Sequence, residues 1–154
     1  MIYWLLIVGM IVLDQVLKFF AVTKLRPIGS IPLIENVFHL TFARNTGAAF
    51  SILRGKQVFL IILTSIVILS LIFLMAKSMK ENNNKFLTLS LALIIGGAIG
   101  NLIDRIRLDY VVDYLDFTLI NFPIFNAADV FIVVGTGLLA LMVIVFNVEL
   151  PGFR

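Results

Sequence analysis

The sequence predicts a membrane all-α protein, a four-transmembrane-helix bundle with a small β-rich cap at one end. Three observations predict it. The 154 residues are 61% hydrophobic, with a mean hydropathy of +1.11, against about 45–50% apolar residues in a soluble domain. The apolar residues gather into four runs, each close to the roughly 20 residues that cross a bilayer core. The two longest connections between the runs alternate apolar and polar residues as strands do, and four crossings put both on one side. Length and span number together predict a single integral membrane domain over residues 1–154.

The first span covers about residues 2–22, interrupted by Asp14, Gln15 and Lys18. A cleaved signal peptide in its place would need a basic start and a small-residue cleavage site, and the run has neither. The second span, about 58–76, carries no charge. The third, about 86–103, holds Gly96, Gly97, Gly100 and Asn101; Gly96 and Gly100, four apart, open one helix face to close packing. The fourth covers about 130–148. The β-rich segments are about 30–53 and 109–118. In the first, Phe38, Leu40 and Phe42 face one way and Val37, His39 and Thr41 the other, until an Asn45-Thr46-Gly47 turn. The second runs through β-branched and aromatic residues from Tyr110 to Phe117.

Composition excludes several chemistries. There is no cysteine, hence no disulfide, thiolate nucleophile or Cys-ligated metal. The single histidine, His39, rules out a two-histidine zinc site, and its place in an alternating strand reads as structural. No metal and no cofactor is expected. A Ser51–Lys56 dyad stays open, without a surrounding motif. The net charge of +3 fits membrane lipid headgroups; no basic cluster interleaved with aromatics suggests nucleic acid. Arg44 and Arg54 read as lipid-head contacts, and Tyr3 and Trp4 as interface anchors. A small proton-coupled transporter would place acids at mid-membrane in several helices, and a scaffold subunit would give no reason for polar blocks gathered at one end.

Those polar blocks carry the candidate chemistry. Asp14 and Lys18 are four apart, an acid preceding a base, and suit an in-helix ion pair, with a snorkelling lysine at the interface as the alternative. Asn101, Asp104 and Arg105 share one helix face at the end of span three. Asn126 and Asp129 fit an N-cap and an acid at the third helical position. Asp113 lies in an extended segment without such support. Two carboxylates meeting at a low-dielectric boundary share a proton; the ionised one activates water and the protonated one donates to the scissile carbonyl. Spacing leaves Asp113 and Asp129 as one pair among several aspartates.

Five blocks then resemble a family. In order they are Asp14-Gln15-Val16-Leu17-Lys18, Asn45-Thr46-Gly47-Ala48-Ala49-Phe50, Gly97-Ala98-Ile99-Gly100-Asn101-Leu102-Ile103-Asp104-Arg105, Val111-Val112-Asp113-Tyr114 and Phe125-Asn126-Ala127-Ala128-Asp129. Together they resemble the signature blocks of the bacterial lipoprotein signal peptidases, or signal peptidase II. The resemblance implies an aspartyl endopeptidase of the bacterial inner membrane that removes signal peptides from diacylglyceryl-modified prolipoproteins, cutting before the lipidated cysteine. It implies Asp113 and Asp129 as the catalytic pair, with Asp14, Lys18, Asn45, Gly47, Asn101, Asp104, Arg105 and Asn126 as a supporting and substrate-binding shell. It also implies inhibition by globomycin-type peptides. It puts the termini in the cytoplasm and the β-rich cap and catalytic end on the extracytoplasmic side. A bare count of Lys and Arg points the other way, because Lys24, Arg26, Arg44, Arg54, Lys56, Arg105 and Arg107 lie at the cap end and only Lys77, Lys80, Lys85 and Arg154 at the other; functional arginines and long loops weaken that rule. The chain departs from the family at Asp109, where glycine is common, and at Tyr114, where phenylalanine is.

Overall fold

The computed structural model describes residues 1–47, 53, 55–81 and 84–151. The Ala48-Ala49-Phe50 part of the second block, Ser51, Arg54, Asn82, Asn83 and Arg154 lie outside the described residues. Helix α1 spans Ile2–Phe20 and continues through a π turn, Ala21–Leu25. Strands β1, Ser30–Ile34, and β2, Phe38–Asn45, follow. Then come α2, Gln57–Lys80, and α3, Lys85–Leu108. Strand β3 is Val111–Asp116, and α4, Ala127–Ala140, runs on through Leu141–Val145. All four helices are long and apolar enough to cross a membrane, the first three extending beyond the predicted span at one or both ends and the fourth shifted toward the N-terminus, starting at Ala127 and ending at Val145 rather than at 148.

Helix α3 is the central one: 61% of its most apolar stretch is buried, against 17–28% for the others. Its small residues make that possible. A Cβ on Gly96 would meet Met10 of α1, and one on Gly100 would lie 2.6 Å from Asp14 Oδ2 and 3.3 Å from Ala128 Cβ. The Gly96–Gly100 face therefore admits α1, with α4 also touching Gly100, and Gly97 admits the backbone of α4. The buried apolar core of Ile7, Met10, Met75, Leu91, Ala92 and Ile95 lies along the same helix.

The cap is a three-stranded antiparallel sheet in the order β1-β2-β3. β1 is an edge strand, which is where Pro32 costs no ladder hydrogen bond. β2 and β3 pair Ala43 with Asp113 and Asn45 with Val111, with a bulge between Leu40 and Ala43. Val112 and Tyr114 pack on Ala21 and Leu25 at the end of α1, with Leu40 and Phe42 against them. The other side of β3, carrying Val111 and Asp113, turns to the helix bundle. His39 sits in β2 as expected. Asp109 closes α3 in the left-handed region at φ 61°, a helix C-terminal position that suits glycine best and tolerates Asp, which explains why glycine is common there.

Candidate active site

The first turn of α4 is built by three elements. Asn126 is the N-cap: its Oδ1 accepts from the Asp129 backbone N–H at 3.0 Å, and Asp129 Oδ2 accepts from Asn126 N–H at 3.1 Å, a capping box. Ala128 N–H donates to Asp14 Oδ1 at 3.1 Å, and Ala127 N–H to the Tyr114 hydroxyl at 3.2 Å. Three backbone donors that a helix start leaves unsatisfied thus each find a side-chain oxygen, from the helix itself, α1 and β3. The Tyr114 hydroxyl is thus a structural acceptor; burial is the main cause that raises its pKa to about 12.

The same Asn126 ties the two candidate catalytic aspartates together. Its Nδ2 donates to Asp113 Oδ1 at 2.6 Å and to Asn101 Oδ1 at 3.1 Å. Asn101 Nδ2 in turn donates to Asp129 Oδ1 at 2.7 Å. Asp113, which the sequence left without local support, is fixed by strand pairing, by Asn126 and by the Asn45 side chain. It is 2% exposed. Burial, then the neighbouring Asp129 charge, raise its pKa to about 7, with the Asn126 and Asn45 hydrogen bonds and Lys18 pulling the other way.

Behind the aspartates lies a buried charge cluster. Lys18 Nζ is 3.0 Å from Asp14 Oδ2, 3.0 Å from Asp104 Oδ2 and 2.9 Å from Asn101 Oδ1. The in-helix pair of Asp14 and Lys18 forms as the spacing predicts. The snorkelling alternative is overturned: Lys18 is 3% exposed, because two carboxylates inside the bundle hold its ammonium more firmly than an interface would. Asp104 Oδ2 also accepts from Val112 N–H at 3.0 Å, fastening β3 to α3. Arg105 Nη2 donates to Gly47 O at 3.0 Å, and Asn45 Oδ1 accepts from Gly47 N–H at 3.0 Å, so the turn after β2 is held onto the helix.

Every residue of the predicted pair and its supporting shell is therefore brought to one end of the bundle. Two participants were missing from that set, Tyr114 and Gln15. Gln15 Nε2 reaches Gly100 O and Asp104 Oδ1, both at 3.2 Å; its spacing of three from Lys18 on α1 was the signal that could have found it. Arg44, read as a lipid-head contact, is exposed and stacks on Tyr110 with its guanidinium 5.0 Å from the ring centre.

Asn45, Asn101, Arg105 and Asp129 form the polar end of a groove of about 550 Å³. Its walls are otherwise mostly apolar, with Ala98 from α3 and Ile132, Val133 and Val134 from α4, and Thr64 contributed by α2. A groove of this kind can hold an apolar segment between membrane helices, with the Asp129 carboxylate at its polar end.

Comparison with known proteins places the fold and the family. Residues 6–145 match the family described as Signal peptidase (SPase) II. Among curated relatives, the lipoprotein signal peptidase of Halothermothrix orenii is 48% identical over 138 residues, covering 90% of this chain and 92% of that one. The lipoprotein signal peptidase of Clostridioides difficile is 44% identical over 148 residues, covering 96% and 97%. A solved bacterial membrane enzyme superposes with a TM-score of 0.84 at 33% identity over 94% of this chain and 88% of that one. A second gives 0.80 at 34% identity, covering 92% of each. The chain is a multi-pass membrane protein and belongs to the signal peptidase II family of peptidases.

Proposed function

We propose that this protein removes the signal peptides of diacylglyceryl-modified prolipoproteins, at the extracytoplasmic face of a bacterial inner membrane, with Asp113 and Asp129 as its catalytic pair. The observation that carries the reading is the pair itself. Two carboxylates from different elements are linked through the amides of Asn126 and Asn101; Asp129 lines the polar end of a largely apolar groove between membrane helices, and Asp113 is buried.

The chemistry follows from their unequal surroundings. Asp129 lies at the N-terminus of α4, where the helix dipole favours an anion, and both its oxygens accept N–H donors. Asp113 is the more deeply buried and, with a pKa near 7, retains a proton beside that charge. Asp129 takes a proton from water as the water oxygen attacks the scissile carbonyl carbon. Asp113 gives its proton to the carbonyl oxygen, producing a neutral tetrahedral gem-diol. Collapse of that diol breaks the C–N bond; one hydroxyl proton returns to Asp113 and the proton on Asp129 goes to the leaving amine. Both aspartates end as they began, and peptide plus water become a carboxylic acid and an amine.

Arg105 suits the orientation of the peptide. Its Nε–H is buried with no partner among the described residues, and the side chain borders the groove, leaving a donor for a substrate carbonyl. Asn45 stands beside it. Opening the substrate helix exposes backbone groups at several kcal/mol each in hydrocarbon, and burial of the diacylglyceryl chains, at roughly 0.8 kcal/mol per CH₂, offsets that cost. Globomycin-type peptides would occupy the same groove, and membrane lipids would surround it. The test compares one prolipoprotein with its cysteine diacylglyceryl-modified and unmodified, in the same detergent. Cleavage of the unmodified form should fall at least a hundredfold; equal rates would remove lipid anchoring from the account.

A further inference from the structure

The groups around the dyad include two primary amides, Asn101 and Asn126, and either could in principle present its oxygen or its nitrogen to an aspartate. Each is locked by a neighbour that can only donate. For Asn126 it is the backbone N–H of Asp129, which fixes Oδ1 toward the helix and leaves Nδ2 for Asp113 and Asn101. For Asn101 it is the ammonium of Lys18, 2.9 Å from Oδ1. With its oxygen facing Lys18 and Asn126, Asn101 has only its Nδ2 to offer Asp129, at 2.7 Å. Lys18 itself is 3% exposed and held by Asp14 and Asp104, so it does not border the groove.

We infer that Lys18 is a positioning residue for the dyad: by fixing the orientation of the Asn101 amide it makes Asp129 an obligatory hydrogen-bond acceptor, and so the ionised, water-activating member of the pair. The inference rests on the reading of Asp113 and Asp129 as the catalytic pair, and adds what decides their division of labour. The charged groups around Asp129 are Lys18 and Asp14 from α1, Asp104 and Arg105 from α3, and Asp113 from β3, with the Tyr114 phenol nearby. Of these, Lys18 reaches Asp129 through a directed hydrogen-bond chain that its replacement would release. Glutamine at that position could present either end of its own amide, and Asn101 would keep only the Asn126 Nδ2 of the two donors that hold its oxygen away from Asp129, so its amide could turn its oxygen toward Asp129, where two acceptors repel.

The experiment measures kcat and KM against pH for the full chain in detergent with a diacylglyceryl-modified prolipoprotein. Asp129→Asn comes first; an active Asp129→Asn would defeat the catalytic reading itself. Lys18→Gln, and Lys18→Gln paired with Asp14→Asn to keep the cluster's charge balanced, should move the acid limb of kcat/KM up by at least one pH unit. They should lower kcat at least tenfold near neutrality and leave KM within twofold. Asn101→Leu breaks the same link with Lys18 in place, removing the donor to Asp129 without adding a charge beside it, and should shift the limb the same way. That variant decides the matter even where a Lys18 variant does not fold. A purely structural Lys18 would scale activity down equally at every pH, in step with the folded fraction. That result, or an Asn101→Leu profile superimposed on the parent's, overturns the inference.

Discussion

Asp113 and Asp129 carry the same functional group in different surroundings, and the difference has a cost in stability. Asp113 is held by strand pairing in a nearly closed site, where burial raises its pKa to about 7 from the ordinary 3.8. Between those two values the folded protein keeps a proton that the unfolded chain has released. Its contribution to stability is therefore fully present below the unfolded value, falls as pH rises across that window, and is constant above about 7. Asp113→Asn removes the ionisable group while keeping an oxygen for Asn126 Nδ2. It should abolish turnover and raise stability at neutral pH by about 2–4 kcal/mol, with the gain shrinking toward pH 4. Thermal melting of both proteins across that range checks it; a variant that melts lower than its parent at neutral pH would contradict it. An active site that stabilises the protein when disarmed is expected where function requires an unfavourably buried acid.

At the scale of elements, α3 positions the site because its glycines let α1 and α4 approach. The Asp14 carboxylate caps α4 while passing close over Gly100. A methyl group at that position would meet Asp14 Oδ2 at 2.6 Å and Ala128 Cβ at 3.3 Å. Gly100→Ala should therefore cost about 1–3 kcal/mol and lower activity more than tenfold through the displaced first turn of α4. An unchanged melting temperature with full activity would show that α1 and α4 can shift freely. Much at this scale was legible in the sequence, because the signals were local. The Asn126–Asp129 capping box, the Asp14–Lys18 spacing, the Gly96–Gly100 face and the Asn45–Gly47 turn each depend on residues a few positions apart. Asp113 and Lys18 show where legibility ends. The strand that supports Asp113 and the inward turn of Lys18 depend on partners 13 to 86 positions away, and no local pattern encodes them. Selecting Asp113 and Asp129 from the other aspartates required the family blocks, since spacing alone treats them alike.

For the whole molecule, the site defines one end of the bundle. Both β-rich segments and every candidate residue gather at one end. The basic loop between α2 and α3 lies at the other, by the alternation of four crossings. The extracytoplasmic reading puts Glu81 inside and Asn121 outside, against the bare count of positive charges. Arg105 and Lys24 show why that count misleads: Arg105 is buried against the site, and Lys24 ends a helix that runs on into the cap. Single cysteines at these positions, Glu81→Cys and Asn121→Cys, should react with an impermeant reagent from opposite sides of intact cells. Labelling of Glu81→Cys from outside would reverse the orientation.

The central claim is that two aspartates and no metal hydrolyse the bond. Its most direct measurement is single-turnover cleavage of a diacylglyceryl-modified prolipoprotein by the parent protein, Asp113→Asn and Asp129→Asn, each with and without a strong chelator. The parent should cleave equally with and without chelator, and each variant should lose at least a thousandfold in rate while still binding substrate and remaining folded. Substantial cleavage by either variant, or loss of parental cleavage with the chelator, would contradict the account.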